Sequence, residues 1–217
     1  MLDYVRRILV ERHVVDLNMT RRKEAALCAA IGGGGALVFL FAFPRGAIST
    51  LMHEVLHLPG PGAGIALIFG PFLALVALTS FLSSRGKGGS LIAALTFGLS
   101  YALVVWLFRI PTNPKGAFGS ILFVAAVALF GLAVESVMAL ARAFNQPWRC
   151  LLAGAVANVV LLVFYWLAIF PRTAGWVKWK DIPLLLGVCL VGGLVPGYIA
   201  WTVSRLFPRA LAHEQKE

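Results

Sequence analysis

Six long apolar stretches dictate what this chain can fold into. They run from Ala25 to Phe43, Ala63 to Ser83, Ser90 to Phe108, Phe118 to Ala141, Cys150 to Phe170 and Ile182 to Val203. An α-helix needs ~20 apolar residues to cross the hydrocarbon core of a bilayer, and each stretch is near that length. Inside lipid the backbone must satisfy its own hydrogen bonds, so such segments are helices. The alternating short strands of a transmembrane barrel are absent from the sequence. With 60% of residues hydrophobic and only 13% charged, the composition agrees. The predicted fold is all-α, a polytopic six-transmembrane-helix bundle.

Connections between the spans are short except the first, which predicts one compact domain over 24–207. An N-terminal arm over 1–23 and a tail over 208–217 flank it. No convincing internal repeat is visible. The arm carries apolar residues that form no clean stripe (Leu2, Val5, Ile8, Leu9, Val14, Val15), and Thr20 is suited to cap the first span. Acids and bases are mixed through it, unlike a cleavable signal peptide, so the first span is expected to serve as the uncleaved targeting signal.

The net charge of +10 would suggest nucleic acid in a soluble protein. Here Lys and Arg flank spans, where they meet lipid headgroups, and no nucleic-acid-binding signature is present. Six spans put both termini on one side. Thirteen basic residues share that side: Arg6, Arg7, Arg12, Arg21, Arg22, Lys23, Arg85, Lys87, Arg142, Arg149, Arg205, Arg209 and Lys216. Six lie opposite: Arg45, Arg109, Lys115, Arg172, Lys178 and Lys180. The bias predicts cytoplasmic termini and a multi-pass protein of the cell (inner or plasma) membrane. Cys28, Cys150 and Cys189 are odd in number and lack C-x-x-C spacing, so neither a disulfide framework nor a thiolate metal site is predicted.

The first external connection, 44–61, holds the concentrated polar chemistry: His53-Glu54-Val55-Leu56-His57, followed by Leu58-Pro59-Gly60-Pro61-Gly62. Ile48, Leu51, Met52, Val55, Leu56 and Leu58 make this connection too apolar for a solvated loop, so it is expected to lie on the bundle as a lid. His53, Glu54 and His57 would then face a ligand, a metal or water. On a helix, H-E-x-x-H puts both His on one face with the Glu beside them, the arrangement of a zinc hydrolase. That reading needs a third ligand, and Glu135 and Asp181 are poorly placed to supply it. No cofactor is required otherwise; a transition metal held by His53 and His57 is the one non-protein group suggested.

Ala25, Ala26, Ala29 and Ala30 form two small-xxx-small pairs on the first span, the pattern by which membrane helices approach closely, here as a docking face. Breakers at Gly64, Gly70 and Pro71 in the second span, and at Gly192, Gly193, Pro196 and Gly197 in the sixth, fit either discontinuous helices that line a site or tight packing. Glu135 in the fourth span either snorkels near Arg142 or is functional, and Asn158 in the fifth is expected to bond across helices. Trp106, Tyr165, Trp166, Trp176 and Trp179 gather toward the external side, as an interfacial belt or as a platform for a ligand; Trp148 and Trp201 fall near the other side.

Six spans, cytoplasmic termini, A-x-x-x-A pairs on the first helix and a long first external connection together resemble the substrate-binding S component of energy-coupling factor (ECF) transporters. The run Leu58-Pro59-Gly60-Pro61-Gly62-Ala63-Gly64, then Phe69-Gly70-Pro71 and Gly86-Lys87-Gly88-Gly89, looks like the second-span region of those proteins. The likeness covers about the first 110 residues by motif and the whole chain by topology. It implies a substrate-capture subunit for a vitamin-like small molecule or a transition metal. The site would include His53, Glu54, His57, Trp106, Tyr165, Trp166 and Trp176. Ala25, Ala26, Ala29 and Ala30 would dock a coupling membrane subunit driven by two ATPases. Cobalt and nickel members begin Met-His; Met1-Leu2 departs from that. No Walker A motif occurs, so ATP hydrolysis by that route would belong to partners. The alternative from another class is an intramembrane zinc metalloprotease or hydrolase of the H-E-x-x-H type; Asn158 is not followed by the N-x-x-P-x-P-x-L-D-G type motif of such proteases.

Overall fold

The computed structural model describes residues 2–43, 50–58, 62–84, 88–110, 121–169 and 178–206, without the side chains of 2–19, 53 and 169. Every element among the described residues is helical. In chain order they are α1 (Leu2–Ala42), α2 (Gly70–Ser83), α3 (Gly89–Leu107), α4 (Ile121–Leu140), α5 (Gln146–Phe164) and α6 (Ile182–Leu206). Three single π-helical turns accompany them: Leu51–Val55, Ile65–Phe69 leading into α2, and Tyr165–Ile169 extending α5. Six helices are long and apolar enough to cross a membrane, which bears out the predicted six-helix membrane bundle.

The N-terminal arm is helical from Leu2 onward. It continues the first span as one 41-residue helix, of which Thr20–Ala42 has the composition of a span. The tail over 208–217 lies outside the described residues.

Helices α1, α3, α4, α5 and α6 pack on one another in that order, and α2 sits at the centre in contact with all five. No residue of α2 is exposed. Its small and branched side chains, Ala74, Ala77, Val76 and Leu78 among them, let five neighbours close around it. Where α5 meets α6 the backbones touch: a Cβ on Gly154 would overlap the Gly193 carbonyl, and one on Gly197 would overlap that of Cys150. The breakers of the sixth span thus serve packing, and α6 runs unbroken through Pro196.

Two polar groups close helix ends across the bundle. Glu135 of α4 accepts at Oε1 from Gly88 N (3.1 Å), Ser90 N (3.0 Å) and Ser90 Oγ (2.8 Å), capping the N-terminus of α3. A carboxylate there meets both the orphan N–H groups and the positive end of the helix dipole. Gly88, at φ 103°, makes the turn that aims those groups. Arg149 of α5 donates to the Met138 carbonyl and so closes the C-terminus of α4.

Candidate functional site at the lid end

The antiparallel course brings the C-terminal end of α1, the segment Thr50–Leu58, the start of α2, the ends of α3 and α5 and the start of α6 to one end of the bundle, the lid end. Thr50–Leu58 is a single wide turn: Leu56 N donates to Leu51 O (3.0 Å) and Leu58 N to Met52 O (3.0 Å). Met52 anchors it, 2% exposed within the core, and Leu58, partly buried, packs on that core as well. Glu54, Val55, Leu56 and His57 remain exposed. Of the connection over 44–61, the described part is this segment, with Met52 buried and its other described side chains exposed or half-buried.

Helical H-E-x-x-H geometry is not formed. The turn ends at Val55, and His57 stands two residues beyond it with left-handed backbone, φ 49°. Its Nδ1 lies 3.1 Å from the Val55 carbonyl, which in the neutral ring leaves the lone pair on Nε2. The side chain of His53 lies outside the described residues. Among the described residues no group of three or more His, Cys, Asp or Glu is placed to hold a metal.

The second π turn is explained by Pro71. Gly70 N donates back five residues to Ile65 O. In that register the next donor would be residue 71, a proline with no N–H, so the Ala66 carbonyl has no partner in its own helix. Asn158 of α5, fully buried, supplies one: its Nδ2 donates to Ala66 O (2.9 Å) and to Cys189 O of α6 (2.7 Å). The predicted inter-helix bond of Asn158 is therefore made, and it ties three helices together.

Tyr165 and Trp166, in the third π turn, are buried at 7% and 9%. Gly62, at φ 114°, rests on Trp166 and Leu162: a Cβ there would stand 3.1 Å from Trp166 Nε1 and 2.9 Å from Leu162 Cδ1. The chain thus re-enters the bundle from its Pro-Gly run against the Trp166 indole. Trp106 and Trp179 are on the exposed surface, at 74% and 88%. Trp176 lies outside the described residues.

Aromatic density sits elsewhere than the tryptophans suggest. Phe39 of α1, Phe69 of the second π turn, Phe97 and Tyr101 of α3 and Phe123 of α4 form one buried cluster with Met52. Phe39 and Phe69 pack edge-on at 5.2 Å, and Tyr101 and Phe123 lie 4.9 Å apart. Sequence reasoning passed over these residues. The signal was present in the helical spacing of Phe39 with Phe43, Phe69 with Phe72, and Phe97 with Tyr101.

Toward the opposite end, α1 divides its small residues between two faces. Cys28, Gly32 and Ala36 point inward; Cys28 Sγ donates to Ser80 O (3.7 Å). Ala26, Ala30 and Gly34 point outward and are exposed, with Ala25 and Ala29 half-buried between. No atom would lie within 4 Å of a Cβ on Gly34.

No family model, curated protein or solved structure matches the chain.

Proposed function

We propose that this chain is the substrate-capture membrane subunit of an ECF-type nutrient importer, with the lid end outside the cell and both termini in the cytoplasm. The observation that carries this reading is the outward face of α1. Ala26, Ala30 and Gly34 stand one turn apart on the surface of the least enclosed of the six spans. A lone bundle in lipid gains little from small residues on its outer face, whereas a partner helix can approach closely there. A pinned lid at the other end, between Met52 and the Gly62–Trp166 contact, supplies the second half: capture at one end, coupling toward the other. The ligand is a vitamin-like small molecule or a transition metal, and the partners are a coupling membrane subunit and its ATPases.

Zinc hydrolysis would use both His of H-E-x-x-H on one helical face. His57 stands beyond the helical turn, so nothing in the geometry favours that reading. The test is purification of the chain under its own promoter with its native membrane partners. Recovery of a coupling membrane protein and ATPases, together with a retained small molecule or metal, is expected. Recovery of the chain alone, with no ligand, would remove the reading.

A further inference from the structure

Asn158, Leu162 and Trp166 follow one another at four-residue spacing along α5 and the π turn that extends it. Each meets the entry of the second span: Asn158 at Ala66 and Gly70, Leu162 and Trp166 at Gly62. Gly62 is tied to that entry, because Ala66 N donates to its carbonyl (2.8 Å).

The Ala66 carbonyl has two competing donors. Asn158 Nδ2 holds it now, at 2.9 Å. In α-helical register Gly70 N would hold it, instead of donating to Ile65 O as it does. Neither register is free of cost. In the α register the Pro71 ring would press on the Leu67 carbonyl and could not donate to it. In the π register the Ala66 carbonyl depends on a side chain of another helix, and the fully buried Asn158 leaves its Oδ1 without a donor. Gly192 of α6 gives the freed carbonyl its room: a Cβ there would overlap Ala66 O and stand 3.3 Å from Pro71 Cγ. Two arrangements that differ in the partner of one carbonyl make a two-state element. Single π turns inside helices concentrate at functional sites.

We propose that Ile65–Phe69 is a two-register joint: Asn158, as a positioning residue, holds it in the π register, and its release lets Gly70 N take the Ala66 carbonyl, converts the turn to α-helix and carries Gly62 off Trp166. The conversion withdraws the extra residue of the π turn. It rotates the chain before the turn by about 100° and shifts it by ~1.5 Å. A seat as close as that of Gly62 on the indole does not survive such a rotation. The joint thereby couples the lid end to the buried contact of α5 with α6, whatever the lid end binds.

The full chain is labelled with 5-fluorotryptophan and placed in phosphatidylcholine nanodiscs. The Trp166 fluorine signal is assigned by its loss in Trp166→Phe. Asn158→Leu fills the space and donates nothing. It should raise the α population roughly tenfold, the share of one hydrogen bond, seen as a second Trp166 signal. Pro71→Ala removes the obstacle from the α register and should bring up the same signal with Asn158 intact. In the double variant that signal should be the major one, while the other tryptophans keep their positions. A cryo-electron microscopy structure of the double variant should show Gly70 N on Ala66 O and Gly62 away from Trp166. One unchanged Trp166 signal in all three variants would overturn the proposal. So would a moved signal with Gly70 N still on Ile65 O, which would make Asn158 a packing contact only. If Asn158→Leu does not fold, Pro71→Ala decides alone by the same signal.

Discussion

Asn158 Oδ1 occupies space that a side chain on Gly70 would need: a Cβ added to Gly70 would overlap that oxygen. The amide nitrogen holds two carbonyls on α2 and α6, and the oxygen, which has no hydrogen-bond donor, rests on the Gly70 backbone. The two residues are one joint. Gly70→Ala should cost about 1–3 kcal/mol by overpacking, and Asn158→Leu on the order of 2 kcal/mol by leaving the Ala66 carbonyl unpaired in the π register and removing the bond to Cys189 O. In Asn158→Ala the space is vacated, so adding Gly70→Ala should cost far less than it does alone. Unfolding of the four proteins in a double-mutant cycle checks this, and strict additivity would show that the two sites are independent.

Glu135 makes a similar prediction at the far end. Glu135→Leu leaves the N–H groups of Gly88 and Ser90 without this acceptor and should destabilise the bundle by about 2 kcal/mol. Glu135→Gln keeps an acceptor and loses only the charge against the helix dipole, worth ~1 kcal/mol. Hydrogen exchange over 88–92 should quicken in the first and change little in the second. Equal effects would show that charge, not hydrogen bonding, holds the cap.

The six spans were legible because hydropathy and length suffice for that. The predicted second span, Ala63 to Ser83, meets Ile65–Ser83, and the predicted third, Ser90 to Phe108, meets Gly89–Leu107. What stayed hidden depends on partners remote in sequence. Glu135 reads as an isolated acid because the helix end it caps lies 45 residues away. Asn158 reads as glue, but its acceptor at Ala66 exists only because Pro71 and a π turn free that carbonyl. The H-E-x-x-H motif misleads for the opposite reason: local spacing suggests a helix, and the turn closes at Val55 before the pattern is complete. Likewise Ala25, Ala26, Ala29 and Ala30 read as one face in the sequence; the packing of Cys28 inward against Ser80 leaves Ala26 and Ala30 exposed and Ala25 and Ala29 half-buried.

Among the described residues of Thr50–Leu58, Met52 is the buried one. Met52→Ala removes a fully buried anchor and should cost about 2–5 kcal/mol locally or globally. Hydrogen exchange over Thr50–Leu58 should rise well above the change in the transmembrane helices, because the other anchor, Leu58, is only half-buried. By contrast, replacing His53 and His57 together with Ala should leave the melting temperature nearly unchanged and weaken retention of the co-purifying ligand. If retention is unaffected by the double change, these residues are not part of the site.

The outward stripe of α1 provides the sharpest separation between fold and function. Ala26→Leu or Ala30→Leu adds bulk to a surface position, so the isolated protein should lose no more than ~0.5 kcal/mol. One turn round the same helix, Gly32 packs against the Ala93 carbonyl and the Thr96 hydroxyl with no room for a Cβ. Gly32→Ala should therefore destabilise the bundle by more than 1 kcal/mol even though it adds only one carbon. If α1 docks a coupling subunit, the Leu variants should retain ligand and lose co-purification of that subunit, because a larger side chain separates helices that meet through small ones. Gly32→Ala should impair both, through loss of the fold. Co-purification that survives Leu at both Ala26 and Ala30 would mean the stripe merely faces lipid, and the main structural support for a coupled importer would be gone.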